Sequence, residues 1–273
     1  MPLDSLTRRR ILAATGSAGA LYLGVDRAGA VLGLDPVDMN QRTVNGTYAR
    51  STDWENSEDA PPRIGLTWRE TVNGAVREET ELTTDGETGN VGLIVDEAVV
   101  PGDSGSVTMR ARLLEREEQA TANAELYLRF RLGDTSENGI VEPEQAAGDD
   151  TPQEGELDDV AQIRVWEDEG TFGSGDGELT WRDVPIVGDT EITDGWQSLA
   201  EVDGSNAFDG GYQISLGGET CLNPANNPEV YISFRWEIPQ SLPDGSPWDD
   251  INVIQGDSAT FQLSFDPRPC PGG

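Results

Sequence analysis

Val99-Val100-Pro101-Gly102-Asp103-Ser104-Gly105-Ser106-Val107-Thr108-Met109-Arg110-Ala111-Arg112-Leu113 is the stretch from which the fold is read. Pro101–Gly105 is a turn, because proline presets φ and glycine supplies φ > 0. The residues after the turn alternate strictly. Val107, Met109, Ala111 and Leu113 fall on one face; Ser106, Thr108, Arg110 and Arg112 fall on the other. A period of two marks a β-strand with one buried face. Gly102–Gly105 also spells the nucleophile loop of trypsin-like serine proteases. A serine there needs a neighbouring base to take its proton. The chain has no His, and all 18 of its basic residues are Arg. Neither His nor Lys can activate Ser104, so a structural turn is expected.

The same alternation recurs outward from this stretch. Ile64, Leu66 and Trp68 share a face; Asn73-Gly74 comes next, and then Ala75–Leu82 alternates. Two such runs joined by Asn-Gly predict a hairpin with a type I′ turn. Val91–Val95 is a short apolar run that suits an edge or a buried strand. In Glu125–Leu132, residues Leu126, Leu128, Phe130 and Leu132 point one way. Strands are also expected around Ile163 and Val165 and over Thr180–Val187. Val230–Ile238 is the clearest of all, and Ser258–Phe265 closes the chain. Ile192, Trp196 and Leu199 suit one or two helical turns. The sum is about eight to ten strands with turns between them and no long amphipathic helix. The expected fold is all-β, an antiparallel β-sandwich of jelly-roll type with long acidic loops.

Composition bounds the function. The 273 residues carry a net charge of −33. That surface repels nucleic acid and anionic membranes. An acidic, lysine-free chain suits very high salt, where the Debye length is ~3 Å and carboxylates hardly repel one another. Seven Trp and the regular patterning argue against disorder.

Three domains are expected. Residues 1–30 read as a twin-arginine export signal, with Arg8 and Arg9 ahead of a weakly apolar run and a cut after Ala30. If the signal is kept instead, it is the chain's one membrane attachment. Residues 31–62 form a polar segment, a linker or a donor strand. They contain the glycosylation pattern Asn45-Gly46-Thr47. Residues 63–273 form the sandwich. Cys221 and Cys270, an even pair in an exported chain, are expected to form one disulfide. It would close a loop of about fifty residues and contribute about 4 kcal/mol.

The order of several motifs resembles the TasA/camelysin-like secreted proteins in their haloarchaeal branch. Val99–Leu113 is similar to that family's "PGD-SG-VT" strand. Glu137–Glu144 and the turn Gly155-Glu156-Leu157 resemble motifs of the branch. Ile163–Trp166, Tyr231–Pro239 and Asp257–Cys270 resemble its later strands. The resemblance covers roughly residues 90–273. It implies a jelly-roll subunit outside the cell or at the surface of a halophilic archaeon. Relatives build fibres in which an N-terminal segment of one subunit completes the sheet of the next. Val31–Leu34 and Val44–Tyr48 are the donor candidates here.

Sites are few. No catalytic residues are expected and no resident cofactor, so the chain is not read as an enzyme. Calcium is weighed at Asp168, Asp176 and Glu178, which flank a Gly-rich loop without EF-hand spacing, against a merely solvated loop. The runs Gly133–Leu157 and Asp149–Asp159 read as acidic surface, too polar for a core. Surface glycans are the other ligand considered, on Trp54, Trp68, Trp181 or Trp248, against ordinary packing of each ring.

Overall fold

The computed structural model describes residues 44–48, 62–76, 90–92, 100–115, 121–137, 139–149, 151, 155–169, 175–187, 195–226, 228–242, 246 and 248–271. The export signal with Arg8, Arg9 and Ala30, the donor candidate 31–34, Trp54 and the second arm of the predicted hairpin beyond Val76 lie outside them.

Thirteen strands form two antiparallel sheets among the described residues. β1 (Val44–Tyr48), β2 (Arg63–Val72), β3 (Ala75–Val76) and β4 (Asn90–Gly92) come first. β5 (Ser104–Leu114) and β6 (Ala124–Ser136) are next. The short helices α1 (Glu142–Ala147) and α2 (Leu157–Val160) lead to β7 (Gln162–Glu167) and β8 (Val184–Val187). β9 (Gln197–Ser198), α3 (Leu199–Asp203), β10 (Tyr212–Ile214) and β11 (Cys221–Leu222) precede the last two strands. These are β12 (Glu229–Glu237) and β13 (Ser258–Pro269). The large sheet has the order β1-β2-β5-β12-β7-β8, and the small one β10-β6-β13-β4. β3 and β9 extend the large sheet, and β11 pairs with β6 in the small one.

The Val99–Leu113 stretch is the middle of the large sheet. β5 pairs with β2 on one side and β12 on the other. Its apolar residues are buried, Val107 and Met109 facing the sandwich with Trp68, Phe234 and Trp236. Leu126, Leu128, Leu263 and Phe265 answer from the small sheet. Each fully buried large side chain contributes roughly 1.5–3 kcal/mol relative to exposure.

The turns behave as their residues dictate. Asn73 (φ 47°) and Gly74 (φ 76°) both have the positive φ of a type I′ turn. Pro101-Gly102 turns with Gly102 at φ 94°. Asp103 is buried there. It accepts the Val100 N–H (2.7 Å) and the Asn73 Nδ2 (3.1 Å), while Asn73 Oδ1 accepts the Ser104 N–H (2.9 Å). The Gly-Asp-Ser-Gly turn is thus a clasp between two hairpin ends. At Gly105 an added Cβ would lie 2.5 Å from the Trp236 indole nitrogen, so only glycine fits.

Two expectations are corrected. The second face of β5, expected to meet solvent, is covered over its first half: Ser106 and Thr108 are buried, as are Arg69, Arg164 and Ser233 nearby, while Arg110 and Arg112 are only half-buried. Hydroxyls pair across this face: Thr71 with Ser106 at 2.6 Å, and Thr108 with Ser233 at 2.9 Å. Segments outside the sheets cover it, Gly175 against Tyr231 and Trp196 stacked on Arg164 at 4.6 Å. Alternation of polar and apolar residues cannot distinguish water from a hydroxyl-lined interior. Second, Gly133–Leu157 is not simply surface: it carries the end of β6, α1 and three buried carboxylates.

The predicted disulfide is present. Cys221 and Cys270 are bonded, with Cα atoms 5.6 Å apart and 49 positions of sequence between them. β11 and β13 flank the first residues of β6, so the bridge crosses the start of that strand.

Candidate metal centre

Five carboxylates converge at the end of β6. Glu137 follows β6 directly. Glu144 sits in the first turn of α1, where its Oε2 accepts the N–H of Val141 at 2.6 Å. Pro143, lacking an N–H, suits that turn. Gly148, left-handed at φ 96°, ends the helix, and Asp149 comes next with its N–H on the Glu144 carbonyl (3.1 Å). Gly155 presses on the Ser136–Glu137 backbone; a Cβ there would lie 2.9 Å from the Ser136 carbonyl carbon. That contact brings Glu156 alongside. Asp257 arrives from the far end of the chain, just before β13, and its Oδ2 accepts the Glu156 N–H at 2.6 Å.

Glu144, Asp149, Glu156 and Asp257 are buried, and Glu137 is half-buried. Each has a use for one oxygen. Glu137 Oε1 accepts the Gly139 N–H (3.0 Å). Asp149 Oδ1 accepts the Thr151 N–H and hydroxyl, both at 2.8 Å, and Thr151 also reaches Glu156 Oε1 at 2.8 Å. The other oxygen of every one of the five is sealed from solvent without a hydrogen-bond partner: Glu137 Oε2, Glu144 Oε1, Asp149 Oδ2, Glu156 Oε2 and Asp257 Oδ1. Oxygens of Glu137, Glu144 and Asp257 lie within 4.8 Å of one another, and so do those of Glu137, Asp149 and Glu156.

The electrostatics are those of burial among like charges. Burial pushes Glu144 up to about 7; the Val141 N–H opposes this, and the charges of Glu137, Asp149 and Glu156 add to it. Burial also raises Glu156, against the Thr151 hydroxyl bond and with the Asp149 charge. Asp257 is raised by burial first and then by the Glu137 carboxylate beside it. Buried carboxylates crowded in this way are costly unless a proton or a cation joins them. The donor set is all hard oxygen, which suits Ca²⁺ or Mg²⁺ rather than a thiophilic metal.

The calcium candidates of the sequence lie elsewhere and are differently engaged. Asp168, buried after β7, accepts the N–H groups of Asp176 (3.1 Å) and Gly177 (2.8 Å) and the Ser233 hydroxyl (2.5 Å). Asp176 Oδ1 accepts the Glu178 N–H at 3.0 Å. Asp168 therefore staples a loop to β12. The carboxylate triads close enough to share an ion among the described residues include none of Asp168, Asp176 and Glu178. Asn45 lies in β1 opposite Thr67.

Of the tryptophans, Trp68 is core, Trp248 packs against the core, and Trp181 is 85% exposed. Trp181 carries Arg182 over its ring at 5.1 Å. Arg182 also lines a cleft of about 220 Å³ with Glu167, Glu169, Glu229 and Tyr231.

No protein-family profile matches this sequence, and no characterised protein matches it.

Proposed function

We propose that this chain is a non-enzymatic structural protein of the outer surface of a halophilic archaeon, a jelly-roll subunit exported through its twin-arginine signal and assembled by strand addition. The observation that carries the assembly reading is β1. Val44–Tyr48, one of two donor candidates in the N-terminal segment, lies on the edge of the large sheet, antiparallel to β2 from Trp68 to Ile64. It joins β2 through residues 49–62. At ~3.3 Å per residue such a connection reaches about 45 Å, enough to seat the strand on a neighbouring copy instead. Backbone hydrogen bonds along β2 supply affinity whichever copy donates the strand. The strongly negative charge of the chain keeps the subunits dispersed until salt screens them.

Electron microscopy of the mature protein, begun at Val31 and taken through rising salt, tests this. Fibres or bundles are expected, and their loss on deletion of residues 31–48. Monodisperse monomers at every salt and protein concentration would remove the proposal. Fibres that survive the deletion would remove strand addition.

A second reading, glycan binding at the envelope, rests on Trp181. An exposed indole next to Arg182, which lines a cleft with Glu167, Glu169, Glu229 and Tyr231, is a stacking platform for a sugar ring. Titration with surface glycans, followed by Trp fluorescence in wild type and Trp181→Ala, distinguishes it; an unchanged spectrum ends it.

A further inference from the structure

We infer that Glu137, Glu144, Asp149, Glu156 and Asp257 form a calcium-type divalent-cation site that pins α1 and the loop before β13 to the end of β6. Several observations converge on it. Four of the five side chains are more than nine-tenths buried, and each of the five has one oxygen sealed from solvent without a hydrogen-bond donor. Their remaining oxygens are taken by backbone N–H groups and Thr151, and these bonds hold the carboxylates in place as outer hydrogen bonds do for the ligands of a metal. Two oxygens that bind one ion at about 2.4 Å can be no more than about 4.8 Å apart. The two triads meet that limit and share Glu137.

Calcium fits better than magnesium. Ca²⁺ accepts six to eight oxygens in irregular geometry, whereas Mg²⁺ demands a small regular octahedron and keeps most of its water. Here the protein offers up to five carboxylates, from the end of β6, from α1 and the turn after it, from the residue before α2 and from the loop before β13. Glu137, common to both triads, is the residue through which one ion engages both sets or two neighbouring ions are bridged. The inference does not depend on fibre assembly, because the cluster lies within a single chain.

The test uses the mature chain, stripped with chelator and dialysed into molar KCl. Ca²⁺ and Mg²⁺ are then added separately while binding is followed by calorimetry and Tm by scanning calorimetry. Saturable binding of one or two Ca²⁺ per chain is expected, with Tm higher by at least about 5 °C at saturation. Glu144→Gln and Asp257→Asn should weaken binding by at least about tenfold. Each should also raise the Tm of the chelated protein, because each replaces an acid whose ionised form burial and neighbouring carboxylates disfavour. Asp168→Asn, away from the cluster, should keep the full Ca²⁺ response. If Asp257→Asn fails to fold, Asp149→Asn with Tb³⁺ luminescence gives the same comparison. Absence of Ca²⁺ binding in the folded wild type would overturn the inference. So would an equal response in Glu144→Gln, or a larger shift with Mg²⁺ than with Ca²⁺.

Discussion

Asp168 illustrates how one buried acid can be an internal fastener rather than a ligand. Its pKa in the folded state is raised from 3.8 to about 6, burial outweighing the bonds from Ser233, Gly177 and Asp176, with the Asp176 charge pushing the same way. A raised acid favours the folded state while protonated. The contribution is therefore complete below about pH 4 and is lost as pH rises through about 6. The wild type should lose up to about 3 kcal/mol relative to Asp168→Asn between those limits. Denaturant unfolding of both proteins across that range measures it; parallel curves would show that the carboxyl does not titrate there. The residue scale also explains why the acid cluster is hidden in the sequence. Five of 51 acidic residues carry no mark that separates them from the rest. The partner that closes the set, Asp257, lies 101 positions from the Glu156 it touches. The local signs are Gly148 and Gly155, which steer the chain into the cluster, and the capping position of Glu144. Each is ordinary by itself.

At the scale of elements, the strands are legible and their far faces are not. β2, β5, β6, β12 and β13 lie where alternation puts them, because burial of one face imposes a period of two on the sequence. Asn73-Gly74 is legible because few residues tolerate positive φ at both positions. Of the residues expected to form helical turns, Ile192 lies outside the described ones; Leu199 opens α3, which starts at the Ser198 cap with Glu201 answering it, while Trp196 stacks on Arg164. The second face of the large sheet escapes such reading, since Ser and Thr serve equally for water and for a buried hydroxyl pair. The hairpin clasp gives a sharp expectation. Asn73→Ala removes the bonds to Asp103 and Ser104 and puts a Cβ-bearing residue without a polar side chain at φ 47°. A loss of about 2–3 kcal/mol is expected, with Asn73→Gly recovering about 1 kcal/mol of it through its backbone freedom. Thermal unfolding of the three proteins decides this; two variants as stable as wild type would mean that the clasp is idle.

For the molecule as a whole, two long-range ties act on the last 50 or so residues. The disulfide closes the loop from Cys221 to Cys270, and Asp257 docks on Glu156 from within it. Replacing both cysteines by serine should cost about 4 kcal/mol, seen as a lower denaturant midpoint with native spectra retained. A cost under about 1 kcal/mol would mean that the unfolded chain is already restrained there. The burial of both faces over the first half of β5 has a different consequence, one for fidelity of pairing. In a sheet with one wet face, a strand that slips by one residue trades oil for water and loses only that. Here a slip would carry Ser106 and Thr108 among Trp68 and Phe234 with nothing to bond. It would also thrust Val107 and Met109 among the arginines and against the Ser233 hydroxyl, which would lose its Thr108 partner. Both errors are penalised at once, so the central strand proofreads its own alignment from either side.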